Sequence, residues 1–152
     1  MTERKAILGR CRIVVTVLAA LALASCGGFS SSSEKKEKEL NASVEAFNSS
    51  FRWEDYKSAS RFVDVDKKEL FWAEVDKFKG KIRLVDFQIR EVEQDQQAKK
   101  GAAILYYQYY RTDSPSLQTV TFTQKWYFSE KDKGWKLWQS GYGAITKQSS
   151  GI

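Results

Sequence analysis

Apolar positions recur at two different periods along this chain, and the change of period divides it. Over residues 34–51, "EKKEKELNASVEAFNSSF", Leu40, Val44, Phe47 and Phe51 fall at spacings of 4, 3 and 4. That spacing lines one face of a helix. Residues 34–39 form its charged, solvated first turns, and Asn48-Ser49-Ser50 weakens its end. "WEDYKSASRFV" (53–63) places Trp53, Tyr56, Ala59, Ser60 and Phe62 or Val63 on a similar stripe and predicts a second, short helix. A third opens in "DVDKKELFWAEVDKFKGK" (64–81). Asp66 suits its N-cap, and Glu69 three residues later resembles a capping box. Leu70, Phe71, Glu74, Val75 and Phe78 would carry its inner face, and Gly80 its C-terminal stop.

After Gly80 the period drops towards two. In "IRLVDFQIREVEQ" Val85, Phe87 and Ile89 alternate with Asp86, Gln88 and Arg90. Ile82 and Leu84 sit in the opposite phase, which predicts a bulge near Leu84. "AAILYYQYYRT" is apolar on both faces: Leu105, Tyr107 and Tyr109 share one, Ile104, Tyr106 and Tyr110 the other. In "LQTVTFTQKWYFSE", Val120, Phe122, Trp126 and Phe128 oppose Thr119, Thr121, Thr123 and Lys125. "GWKLWQSGYGAI" closes the series, with Trp135 and Trp138 on opposite faces. "EQDQQAKKG", "TDSPS" and "EKDKG" carry the turn residues between strands.

Helices followed by four consecutive strands predict an α+β domain: two or three N-terminal helices packed on a curved four-stranded antiparallel sheet. An N-terminal helix, the "FRWEDYKSASRFVDVD" helix-loop and long strands ending in "W…W" resemble the nuclear transport factor two-like cone over roughly residues 35–145. A cystatin-like single helix on a sheet, and the small helix-plus-three-strand lipoproteins of outer-membrane assembly machinery, are the competing architectures.

Ahead of the domain lies a different pattern. Residues 1–12 are basic, and residues 13–24, "IVVTVLAALALA", are apolar but for Thr16. Twelve residues are too few for a comfortable bilayer span, and basic flank, short apolar core and small residues make a signal peptide. Leu23-Ala24-Ser25-Cys26 then resembles the bacterial lipoprotein lipobox at all four positions. The resemblance implies cleavage between Ser25 and Cys26, a diacylglycerol on the Cys26 thiol and acylation (palmitate, for example) of its amine. Gly27, where an inner-membrane-retained lipoprotein tends to have Asp, implies the outer membrane, facing the periplasm. In a cell with one membrane it implies the outer face of that membrane. Residues 1–25 are thus expected to be discarded, 26–33 to tether through the Gly/Ser run "GGFSSSS", and 34–148 to fold.

Composition narrows the chemistry. Half of the net charge of +6 sits in the leader, where Arg4, Lys5, Arg10 and Arg12 face only Glu3. The rest is too evenly mixed to argue for nucleic acid. Cys11 falls in the leader and Cys26 is consumed by lipid, so the domain has no thiol for a disulfide. The chain has no His. Ser-His-Asp sites and the usual zinc sites are therefore excluded, and no Gly-rich phosphate loop is present. No catalytic residue, metal or cofactor is expected.

Two carboxylate features need weighing. "DVD" (Asp64, Asp66) has the spacing to hold a divalent cation, although helix capping accounts for it. Asp86 has the residue type that some cone-fold enzymes, ketosteroid isomerase among them, use as a base with a tyrosine donor. It alternates against apolar neighbours and so points away from the core. The aromatic residues are the stronger signal. Tyr106, Tyr110, Tyr127 and Trp138 would share the outer sheet face, as cross-strand pairs or as a surface for a protein partner or second copy. The expectation is a non-catalytic, membrane-anchored envelope lipoprotein. Its rival is a cone-pocket carrier, or a His-free acid/base enzyme of isomerase or dehydratase type. A cone filled by aromatic rings counts against the rival; an open cavity holding a lone shifted carboxylate favours it.

Overall fold

The computed structural model describes residues 32–148. Its first helix, α1 (Ser32–Arg52), buries Leu40, Val44, Phe47 and Phe51, the stripe predicted above. The helix runs through Asn48-Ser49-Ser50 instead of weakening there, because Asn48 is itself buried and hydrogen-bonded in the core. Next, α2 (Tyr56–Ala59) continues into the 3-10 turn Ser60–Phe62. Asp55 caps it through a hydrogen bond from the Ser58 backbone N–H. Trp53 does not join its stripe. It lies in the turn between α1 and α2, 73 % exposed, beneath the Arg52 guanidinium.

The next helix departs from expectation at its start. A 3-10 turn, Val65–Lys67, precedes α3 (Lys68–Phe78), and Asp64, not Asp66, is the cap: its carboxylate accepts the Asp66 backbone N–H at 2.8 Å. Inserting a 3-10 turn shifts the cap by two residues, and no capping box forms. Phe71, Val75 and Phe78 face inward, but Leu70 is 62 % exposed. Gly80 ends the helical segment with φ +73°, the left-handed conformation that a side chain would strain.

Four strands follow in an antiparallel meander, ordered as in the chain: β1 (Ile82–Gln94), β2 (Lys100–Arg111), β3 (Ser114–Ser129) and β4 (Gly134–Gln139). The predicted bulge is present as a register shift between Leu84 and Asp86. It leaves Val85 exposed and turns Leu84, Phe87 and Ile89 to the core. A second shift, between Ile89 and Glu91, then brings Val92 inward. The inner face of β2 carries Ala103, Leu105, Tyr107 and Tyr109, and that of β3 carries Val120, Phe122, Gln124 and Trp126. The chain finishes with an element the pattern did not suggest. β4 stops at Gln139, Gly141 takes φ +77°, and α4 (Gly143–Gln148) folds back. That turn puts Tyr142 and Ile145, both fully buried, into the core instead of along a strand.

The helices cover one face of the sheet, and the core lies between the two layers. Its rings are in mutual contact: Phe51 stacks on Tyr142 at 4.1 Å, and Phe47 meets Trp126 edge-on at 5.8 Å. Each large apolar side chain buried this way contributes roughly 1.5–3 kcal/mol. No helix among the described residues is long and apolar enough to cross a membrane.

Candidate functional site

Two places on this fold could act on another molecule: the interior of the cone and the outer face of the sheet. The interior is filled. Phe47, Phe51 and Phe78 come from the helices and Tyr107 and Trp126 from the sheet, while Tyr142 enters from the C-terminal turn; all are buried. Tyr107 stacks between Phe87 and Phe122 at 5.6 and 5.3 Å.

A small polar cluster sits within these rings. Asn48 Oδ1 accepts hydrogen bonds from the Tyr107 hydroxyl (2.6 Å), the Tyr142 hydroxyl (3.0 Å) and Gln124 Nε2 (2.9 Å). Asn48 Nδ2 donates to Gln124 Oε1 (3.1 Å) and to the Val44 carbonyl (2.7 Å). Every member is thus satisfied inside the protein, as buried polar groups must be. Burial pushes both tyrosine hydroxyls well above their ordinary range, so they stay neutral donors.

No carboxylate joins this cluster. Asp86 points out of the core as its phase predicted, and pairs with Arg52 at 3.5 Å. Glu74 accepts from the Ser140 hydroxyl at 2.6 Å, and its charge helps burial to raise the Tyr142 ionisation without a hydrogen bond to that hydroxyl. Asp64 is occupied as a cap, and no group of metal-ligating side chains gathers among the described residues.

The outer face presents the four aromatic residues singled out from the sequence, but it separates them into two pairs. Tyr127 and Trp138 meet edge-on, with ring centres 6.1 Å apart. Tyr106 lies along β2 beneath the Arg90 guanidinium, at 5.0 Å. Tyr127 is opposite Lys100, and Tyr106 lies six positions further along β2. That is roughly 20 Å of strand. Tyr110 lies further along the same strand. Trp138, 55 % exposed, stands between two grooves. One, of about 890 Å³, is lined by Glu93, Ala102, Lys125 and Tyr127. The other, of about 240 Å³, runs past Lys67 and Leu70. Lys67 Nζ lies 4.3 Å from the centre of the Trp138 ring. Ser25 and Cys26 fall outside the described residues.

Asn48, Gln124 and Tyr142 were not picked out from the sequence. Gln124 carried a signal: it is the polar residue in the inward phase of β3, between Phe122 and Trp126. Asn48 follows Val44 by one helical turn, beside Phe47. Tyr142 carried none, because its position depends on a turn at Gly141.

No protein-family profile matches the chain, and neither does any curated protein sequence. Solved structures do match. A ketosteroid isomerase-like protein from Erwinia carotovora atroseptica superposes with a TM-score of 0.51 at 10 % identity, over 67 % of this chain and 90 % of that one. A candidate polyketide cyclase from Xanthomonas campestris pv. campestris gives a TM-score of 0.48 at 13 % identity, over 72 % and 96 %. The domain has the nuclear transport factor two-like α+β cone fold. At such identities the likeness is one of fold, and activity has to be argued from the residues.

Proposed function

We propose that this chain is a lipid-anchored bacterial envelope protein whose cone domain is a non-catalytic binding module. It engages a protein partner or a second copy of itself through the outer sheet face. The filled interior carries the reading. Where a ligand would need space, Phe47, Phe51, Tyr107 and Tyr142 pack together, and the polar atoms among them are spent on one another. The chain has no His, and no carboxylate hydrogen-bonds to that cluster: Asp86 pairs with Arg52 and Glu74 with Ser140. One groove outside the core lies next to exposed Trp138 and half-buried Tyr127, and a smaller one continues past Trp138. Amphipathic rings of this kind suit an interface.

The anchor half of the proposal rests on Leu23-Ala24-Ser25-Cys26 and the basic and apolar segments before it. It places the protein on the outer membrane facing the periplasm, or on the outer face of the membrane in a cell that has only one. The likeness to a ketosteroid isomerase-like protein is what supports the rival pocket reading, and it extends to the fold. Crosslinking in the native envelope, followed by identification of the adducts, tests the proposal. A specific protein adduct or self-adduct through the outer face is expected. A domain that yields neither, but whose core amide signals shift on titration with a small carbonyl compound, belongs to the rival class.

A further inference from the structure

The larger outer groove lies at the end of the domain where α1 begins. Gln94, which contributes to the groove, donates from Nε2 to both the Ser33 carbonyl and the Ser33 hydroxyl at 3.0 Å. Trp135, two residues after the β3–β4 turn, donates to the Lys36 carbonyl at 2.9 Å. The α1 helix of 21 residues then runs to the other end of the domain, roughly 30 Å away, where Trp53 is exposed. If Cys26 carries the lipid, Ser32 lies six positions after it, at most roughly 20 Å of fully extended chain. A lipid on Cys26 would therefore keep the groove end within reach of the bilayer, with the Trp53 end a helix length further from the attachment point.

The groove also has the chemistry of a bilayer interface. Its wall is an exposed Trp and a Tyr in edge contact, and its rim carries Lys99, Lys100 and Lys125. None of these lysines belongs to an ion pair among the described residues. Two acids share the rim, Glu93 and Asp95, and the Lys99 and Lys100 backbone N–H groups, at 2.7 and 3.1 Å, hold Asp95 ionised, so the three lysines leave the rim one net positive charge. Trp and Tyr settle at the headgroup level, and lysines lay their stems on apolar surface while their ammonium groups meet anionic lipid.

We infer that the groove bounded by Tyr127, Trp138 and Lys99, Lys100 and Lys125 is a docking site for the anionic phospholipid surface of the anchoring membrane, and that it fixes which way the domain faces. This deepens the proposed function and rests on its anchor. It assigns the Tyr127–Trp138 end of the outer face to lipid and leaves Tyr106 and Tyr110 for a partner.

The test uses the full chain processed in a bacterial host, purified in detergent and reconstituted into phosphatidylethanolamine vesicles. These are made with or without phosphatidylglycerol and carry a headgroup-level fluorescence quencher. Tryptophan quenching is expected in the phosphatidylglycerol vesicles. It should fall in Trp138→Phe, stay unchanged in Trp53→Phe, and fall in the triple variant Lys99→Glu, Lys100→Glu, Lys125→Glu. Three lysines near an anionic surface should together shift the docking equilibrium by about a hundredfold. Equal quenching in Trp138→Phe, or equal quenching in neutral vesicles, overturns the inference and leaves the anchor standing. A purified chain whose intact mass lacks acyl groups overturns the anchor, and this inference with it. Self-association that is lost in Trp138→Phe without any lipid quenching assigns the groove to a second copy and also overturns it.

Discussion

The Tyr107 hydroxyl donates to Asn48 Oδ1 at 2.6 Å, joining the middle of the sheet to the C-terminal part of α1 at the place where a cone would otherwise be hollow. Tyr142 and Gln124 converge on the same oxygen. One amide thus organises three buried partners from three elements.

Replacing that amide should be costly. Asn48→Ala removes the acceptor shared by two hydroxyls and one amide, and each buried group left unpaired costs about 1–3 kcal/mol. The two hydroxyls lie 3.2 Å apart and retain each other, so the loss should be about 3 kcal/mol, not the full sum. Urea unfolding of Asn48→Ala against the parent measures it. Tyr107→Phe, which deletes one donor and leaves the others paired, should cost about 1–2 kcal/mol. A loss below about 1 kcal/mol in Asn48→Ala would show that water enters and the interior is not closed.

The same cluster sets the alkaline limit of the fold. Burial raises the Tyr107 and Tyr142 ionisations in the folded state above the ordinary value near 10 that they recover on unfolding. Below that unfolded value the protons are on in both states and the stabilisation is fully present. As pH rises above about 10, the unfolded chain releases protons that the folded chain keeps, and stability falls. Thermal midpoints should therefore decline from about pH 10 upward, and Tyr107 and Tyr142 should ionise only as the fold is lost. Phenolate absorbance followed together with circular dichroism checks this. Complete tyrosine ionisation in a domain with native dichroism would refute it.

Gly101 is fixed by a steric limit of another kind. A Cβ there would stand 2.5 Å from Leu40 Cδ2 and 3.2 Å from the Glu93 carbonyl. Leu40 is fully buried in α1, so its side chain has little room to retreat. Gly101→Ala should destabilise the domain by roughly 1–3 kcal/mol through overpacking. The cost should shrink when Leu40→Ala is present, since the added methyl then enters the vacated space. A double-mutant cycle reads the coupling. Additive effects would mean the two positions do not touch.

Much of this architecture could be read from spacing alone, and the exceptions share a cause. The stripe Leu40, Val44, Phe47 and Phe51, the bulge near Leu84 and the split of the β2 tyrosines are local periodicities, which the packed structure retains. Trp53 and Leu70 have apolar side chains that extend their stripes on paper. Their exposure follows from where α1 stops and from the 3-10 turn at Val65–Lys67, neither of which periodicity sees. Tyr142 reaches the core through a positive-φ turn at Gly141, and its partners Asn48 and Tyr107 are 94 and 35 residues away in the chain. The outer-face residues were legible as a set, but their division into two pairs about 20 Å apart required the strand register.

Tyr106 and Tyr110 offer the direct test of a partner surface on the sheet. Both are half-buried on the outer face, so part of each ring remains available, and a contact there would bury aromatic area. Changing both to Ser should weaken any self-association by at least tenfold, read by analytical ultracentrifugation across a range of concentrations. The fold should survive, because the core side of β2 is untouched. A parent protein that is monomeric at all accessible concentrations rules out the second copy and leaves a different protein as the partner.

The proposed membrane anchor turns on Cys26. Replacing it with Ser removes the thiol that would accept the diacylglycerol, and with it the processing that depends on lipidation. Each buried CH₂ of an acyl chain contributes about 0.8 kcal/mol, so two or three chains hold a protein stably where a single chain is marginal. The parent should therefore incorporate labelled palmitate, enter the detergent phase and sediment with membranes after a high-salt wash. Cys26→Ser should incorporate no label and retain its leader, seen as an unshortened intact mass. Label incorporation is the discriminating readout, since an uncleaved leader with residues 13–24 still attached can hold a chain on a membrane by itself. Palmitate incorporation that persists in Cys26→Ser would place the lipid elsewhere and break the link between the lipobox and the orientation of the domain.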